Sequence, residues 1–197
     1  LTDHSSTNAN ATLANMESSD WEISQVPFSA FASGYKVNPR AVWKSTGTEN
    51  SLASHGLFAK MSSALTDANY FAFAHNGGNG TSTDNLPGGV SQRFGRIWLL
   101  DETGTVTPHL TFDISEASGN SVSMSAASNY ILLYRSANTG DFENIMTGSS
   151  VSDDQVTFSN VSIQDGYYTM GSTGDASLPV ILADFTKKKK KNGILLE

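Results

Sequence analysis

His109-Leu110-Thr111-Phe112-Asp113-Ile114 alternates, residue by residue, between polar and apolar side chains. In an extended chain successive side chains point to opposite faces. Leu110, Phe112 and Ile114 therefore share one face, the pattern of a strand buried on one side. The same signal recurs outward from this stretch. Leu57 to Met61 sets Leu57, Ala59 and Met61 against Phe58 and Lys60. Tyr70-Phe71-Ala72-Phe73-Ala74 places large rings between small residues, as in a strand buried on one side and crowded on the other. Arg96 to Leu100 reads as a strong strand. Tyr130-Ile131-Leu132-Leu133-Tyr134 is continuously apolar and reads as a central one. Val156 and Phe158 lead towards Val161 and Ile163, and Gly166 to Met170 follows. No helical period competes, so the expected fold is all-β, an antiparallel β-sandwich or jelly-roll-like arrangement.

Towards the N-terminus, Trp21 to Val26 reads as a first strand closed by Pro27. Tyr35-Lys36-Val37 and Ala41 to Lys44 read as extended pieces broken at Asn38-Pro39. His75 to Gly89, rich in Gly, Asn and Ser, reads as a long loop. The expected organisation is an irregular lead-in over 1–19, with a short helical turn near Leu13 to Met16, then a sandwich domain over 20–175. A linker and the first hairpin of a following, truncated module occupy 176–197. Leu178 to Phe185 reads as a new strand, and Asn192-Gly193 signals the hairpin turn.

The charge is −7 overall but unevenly placed. Residues 1–186 carry seven Lys or Arg against eighteen Asp or Glu, a net −11, and five lysines follow at 187–191. An acidic body argues against nucleic acid as a partner, since phosphate contacts need a basic face, and the lysine run that could suggest a nucleic-acid tail is short and lies between two apolar runs. No run approaches the ~20 apolar residues of a membrane span. The chain has no cysteine, which excludes disulfides, thiolate nucleophiles and Cys-ligated metals.

Two segments resemble a known family. Phe94-Gly95-Arg96-Ile97-Trp98-Leu99-Leu100-Asp101-Glu102-Thr103-Gly104 resembles a motif of a β-rich domain of unknown function in secreted Bacteroidota proteins. The family's core is Gly-Arg-x-Trp-x-x-x-Glu-Thr, matched by Gly95, Arg96, Trp98, Glu102 and Thr103. Leu178 to Thr186 resembles the Leu-Pro-Val segment between such domains and a type IX secretion sorting domain. The resemblance covers residues 57–197. It implies export by type IX secretion and display on, or release from, the cell, and it implies no reaction. The family often has an acidic Asp-x-Asp-Gly-Asp loop after the strand equivalent to 130–134. Here Arg135 stands where an acid is usual.

Asn138, Asp141, Glu143 and Asn144 offer oxygens for calcium, though an ordinary solvated turn has the same composition. Asp101 and Glu102 are adjacent in a strand and point to opposite faces, so they cannot flank one glycosidic bond. Glu102 and Arg96, at even spacing, are expected to form a structural ion pair. His4, His55, His75 and His109 show no metal-ligand spacing, Gly-x-Ser-x-Gly is absent, and Gly77-Gly78-Asn79-Gly80 lacks the lysine and helix of a phosphate loop. Trp21, Trp43, Tyr167 and Tyr168 are candidate sugar-stacking rings, with one of Tyr167 and Tyr168 expected to be exposed. The reading that follows is a non-catalytic, extracellular or cell-surface module of a larger secreted bacterial protein. It would work structurally or adhesively, through neighbouring domains or copies of itself by strand pairing. The competing readings are a carbohydrate-binding module of a polysaccharide-degrading system and a fragment of a secreted hydrolase.

Overall fold

A computed structural model describes residues 21–22, 34–35, 37–42, 51–61, 69–120, 122–178, 187–190 and 193–196. For 21–22, 38–42, 51–52, Tyr70 and the last two segments it describes backbone alone. The expected helical turn near Leu13 and the strand over 179–185 lie outside these residues, as does Trp43.

Among the described residues nine strands form one antiparallel sheet. Its main path runs from β1 (Trp21–Glu22) to β2 (Val37–Val42), β5 (Tyr70–His75), β8 (Trp98–Thr103), β14 (Gly166–Ser172), β10 (Tyr130–Arg135) and β11 (Glu143–Thr147). The short β6 (Thr81–Ser82) and β7 (Gln92–Phe94) join beside β14. A second sheet has the order β12 (Ser150–Ser152), β13 (Gln155–Phe158), β9 (Pro108–Asp113), β4 (Leu57–Met61) and β3 (Ser51–Ala53). The two sheets make the expected sandwich. β15 (Lys187–Lys190) and β16 (Gly193–Leu196) pair with each other as a hairpin. No helix among the described residues is long and apolar enough to cross a membrane.

Alternation fills the space between the sheets. Phe71, Phe73, Trp98, Leu100, Tyr168, Met170, Tyr130 and Leu132 from the large sheet meet Leu57, Leu110, Phe112, Val156 and Phe158 from the small one. Phe112 lies at its centre, edge-on to Trp98 at 5.3 Å and to Phe158 at 5.8 Å. Ala176 and Leu178, placed from sequence in the segment of linker and following hairpin, pack in this core. The large sheet buries its other face too, through Ala72, Ala74, Leu99, Ile131, Leu133 and Tyr167. This is why β10 reads as continuously apolar.

Local structure departs from expectation where neighbours decide it. β2 runs straight through Asn38-Pro39, with its register against β5 shifting between Val37 and Arg40. A proline cannot donate to a ladder, and a bulge is where a strand tolerates one. After β9 the chain makes a one-turn helix, α1 (Ile114–Ser118). Asp113 caps it by accepting the Glu116 amide at 2.9 Å, and Gly119 closes it in the left-handed region.

Candidate functional site

Two side-chain clusters flank the large sheet, and β14 builds both. The first surrounds the segment between β7 and β8. These strands share one edge of β14: β8 pairs with Gly166 to Tyr168, and β7 with Gly171 and Ser172. In the gap, the Thr169 hydroxyl donates to the Arg96 carbonyl at 2.8 Å. The Arg96 guanidinium reaches three other segments. Its Nε donates to Gly78 O at 2.8 Å, and its Nη1 to His55 O at 2.7 Å and Glu116 O at 2.8 Å. Trp98 Nε1 donates to Ser54 O at 2.8 Å. Gly78 and Gly95 let the two backbones touch, since a Cβ on Gly95 would overlap the Asn79 carbonyl.

The expected ion pair between Arg96 and Glu102 does not form, because the guanidinium is spent on carbonyls. The Glu102 amide donates to Asp165 Oδ1 at 2.7 Å instead, and Glu102 Oε2 is enclosed without a partner. Burial, aided by the Asp165 charge, raises the carboxyl pKa of Asp101 and Glu102. As expected, the two point to opposite faces: Glu102 stands opposite Phe71 and Asp101 opposite Ala72.

His75 is buried beside this cluster, its ring 5.4 Å from His55 and 6.3 Å from Trp98. Its Nδ1 accepts the Gly77 amide at 2.9 Å, which leaves the proton on Nε2, an atom with no partner. Desolvation first, then the Arg96 and His55 charges, lowers its pKa to about 4.

The second cluster lies on the outer face. On β10 the residues that point away from the core are Ile131, Leu133 and Arg135, and Arg135 stands opposite Tyr167 of β14. Arg135 and Arg93 are 8% and 6% exposed. Their guanidinium carbons lie 4.4 and 5.0 Å from the centre of the Phe142 ring. Tyr35 packs edge-on against Tyr167 at 4.8 Å, and the Arg135 guanidinium is 5.7 Å from the Tyr167 ring. This cluster was not read from the sequence. The parity of β10 places Arg135 on its outer face, but the pairing that brings Arg93, Tyr35 and Phe142 to it is non-local.

The sugar-stacking candidates fare differently. Tyr167 is 7% and Tyr168 1% exposed, so neither offers a free ring face, contrary to expectation. Tyr168 fills the core and Tyr167 is covered by Tyr35. Trp21 lies on β1, and its side chain, like Trp43, is outside the described residues. The calcium candidates Asn138, Asp141 and Glu143 are exposed, and no three His, Asp or Glu side chains among the described residues converge to hold a metal. The Gly140 carbonyl in that loop turns inward to Arg135 Nη1 at 2.9 Å. A cation already sits under the turn, and the loop carbonyl turns to it.

The family model described as "Domain of unknown function (DUF8202)" matches residues 41–167. This chain belongs to the DUF8202 family. The matched DUF8202 region holds Arg96 and the three carbonyls its guanidinium meets, and ends inside β14, two residues before Thr169. Neither a curated protein nor a solved structure matches the chain.

Proposed function

We propose that this DUF8202 domain is a non-catalytic module of a larger, exported bacterial protein, working at or outside the cell surface to space and present its neighbours. One observation carries the reading. Arg96, the most reactive-looking residue of the Gly95-Arg96-x-Trp98 segment, is used to tie three backbone segments together. Trp98 beside it does the same through Ser54 O. Residues that a catalyst would keep free here hold loops in place. The acidic body and the resemblance of residues 94–104 and 178–186 to secreted Bacteroidota proteins support export by the type IX route. Neighbouring domains, or copies of the chain meeting through strand edges, are its partners.

The test is domain replacement in the parent protein. An unrelated β-sandwich of similar length replaces residues 41–178. Surface display and the activities of the flanking domains are then measured. Retention of both supports a spacer. Loss of a binding or turnover activity that the isolated chain then supplies in trans would overturn it.

A further inference from the structure

The outer-face cluster holds two buried guanidinium groups with no carboxylate bonded to either among the described residues. Buried cations are ordinarily paired, because losing water without gaining a counter-charge is costly. Arg93 is partly provided for: Nε donates to Asp84 O at 3.0 Å and Nη1 to Phe94 O at 2.8 Å. The Asp84 carboxylate itself accepts from the Ser82 hydroxyl at 3.2 Å. Arg135 is less well met. Its Nη1 donates to Gly140 O and the Tyr35 hydroxyl adjoins it, but its Nε is sealed from solvent and meets no acceptor. The Nε edge of a guanidinium, with Nη2, is one that grips a carboxylate through two parallel bonds. The rings of Phe142 and Tyr167 hold the plane of that fork.

We propose that Arg135, with Arg93 beside it, forms a binding site for the carboxylate group of a small organic acid. The exposed loop 136–141 joins Arg135 directly to Phe142 and lends Arg135 its Gly140 carbonyl, so entry of a ligand to the sealed Nε requires this loop to lift. A site this enclosed takes a small anion and not a polymer chain. The proposal does not depend on the spacer reading, since a spacer can also carry a ligand.

The test titrates the full chain with acetate, succinate and galacturonate at fixed ionic strength, with sodium chloride and sulfate as references. Thermal midpoint and calorimetric affinity are read together with the Arg135 Nε–H resonance. At least one carboxylate should raise the midpoint above the chloride and sulfate references and shift that resonance. Arg135→Gln should weaken its binding about tenfold or more, and Lys60→Gln, at an exposed position on the opposite sheet, should not. The resonance in the unmodified chain keeps the test valid should Arg135→Gln fold poorly. A midpoint and a resonance that ignore every carboxylate would leave Arg135 as a loop clamp. An equal response to sulfate would remove the preference for a planar carboxylate. Either result overturns the proposal.

Discussion

Arg96 makes its three carbonyl bonds with a planar fork, and a lysine ammonium cannot reach the same three directions. Arg96→Lys is expected to destabilise the domain by about 2–4 kcal/mol, at ~1.5–3 kcal/mol per charge-assisted bond with partial replacement by water. Urea unfolding checks this, and an unchanged midpoint would remove Arg96 as the tie between loops. His75 makes stability depend on pH. Its folded pKa of about 4 lies below the ordinary value of 6.5. The unfolded chain therefore takes up the proton first as pH falls. Stability is full above about pH 6.5, declines towards pH 4 and levels off below it, a loss of about 3 kcal/mol. Asp101 and Glu102 have raised pKa values and work in the opposite direction, binding protons more readily when folded. The slope of stability against pH should therefore be compared between the natural chain and His75→Gln, and only the natural chain should carry the His75 component.

At the scale of elements, the junction between β7 and β8 is a tightly constrained point, with the Gly95 backbone against that of Asn79. Gly95→Ala drives a methyl into the Asn79 carbonyl, a backbone atom that cannot step aside. A loss of about 3 kcal/mol or more is expected in thermal unfolding. Gly88→Ala, where the added carbon meets open space, should fall within about 0.5 kcal/mol of the natural chain. The strands that escaped the sequence reading are of one kind. β11 and β12 are largely exposed edges, with Ile145 42% exposed and only Met146 and Val151 half-buried against the core, so they show little of a buried face. β6 and β7 are too short for a period to show. Their partners are mostly near in sequence, β10 for β11, β13 for β12 and each other for β6 and β7, and only β7 also reaches a distant strand, β14.

For the whole molecule, cohesion lies between the two sheets. Phe112 touches Phe94, Trp98 and Phe158, rings contributed by three different strands of both sheets. Phe112→Ala should cost about 3–5 kcal/mol, since the cavity lies where neither sheet can close it alone. Chemical denaturation measures this. Phe58→Ala, on the opposite face of the adjacent β4, should cost less, because that ring is only half-buried.

The amino-acid sequence by itself determined the fold class, the core strands and the face each one buries, because a period of two is a local property and burial follows it. It also marked Gly95, Arg96 and Trp98 as a unit. Only the tertiary structure decided what that unit does, since His55, Gly78 and Glu116 come to Arg96 from separate elements. Likewise nothing in the local pattern signalled that Tyr167 and Tyr168 would both be buried. An alternating strand puts one ring on each face, and whether the outer face meets solvent or a layer of packed side chains depends on Tyr35, Arg93 and Phe142 being brought to it from distant segments. Long-range pairing made that layer, and with it the two buried arginines.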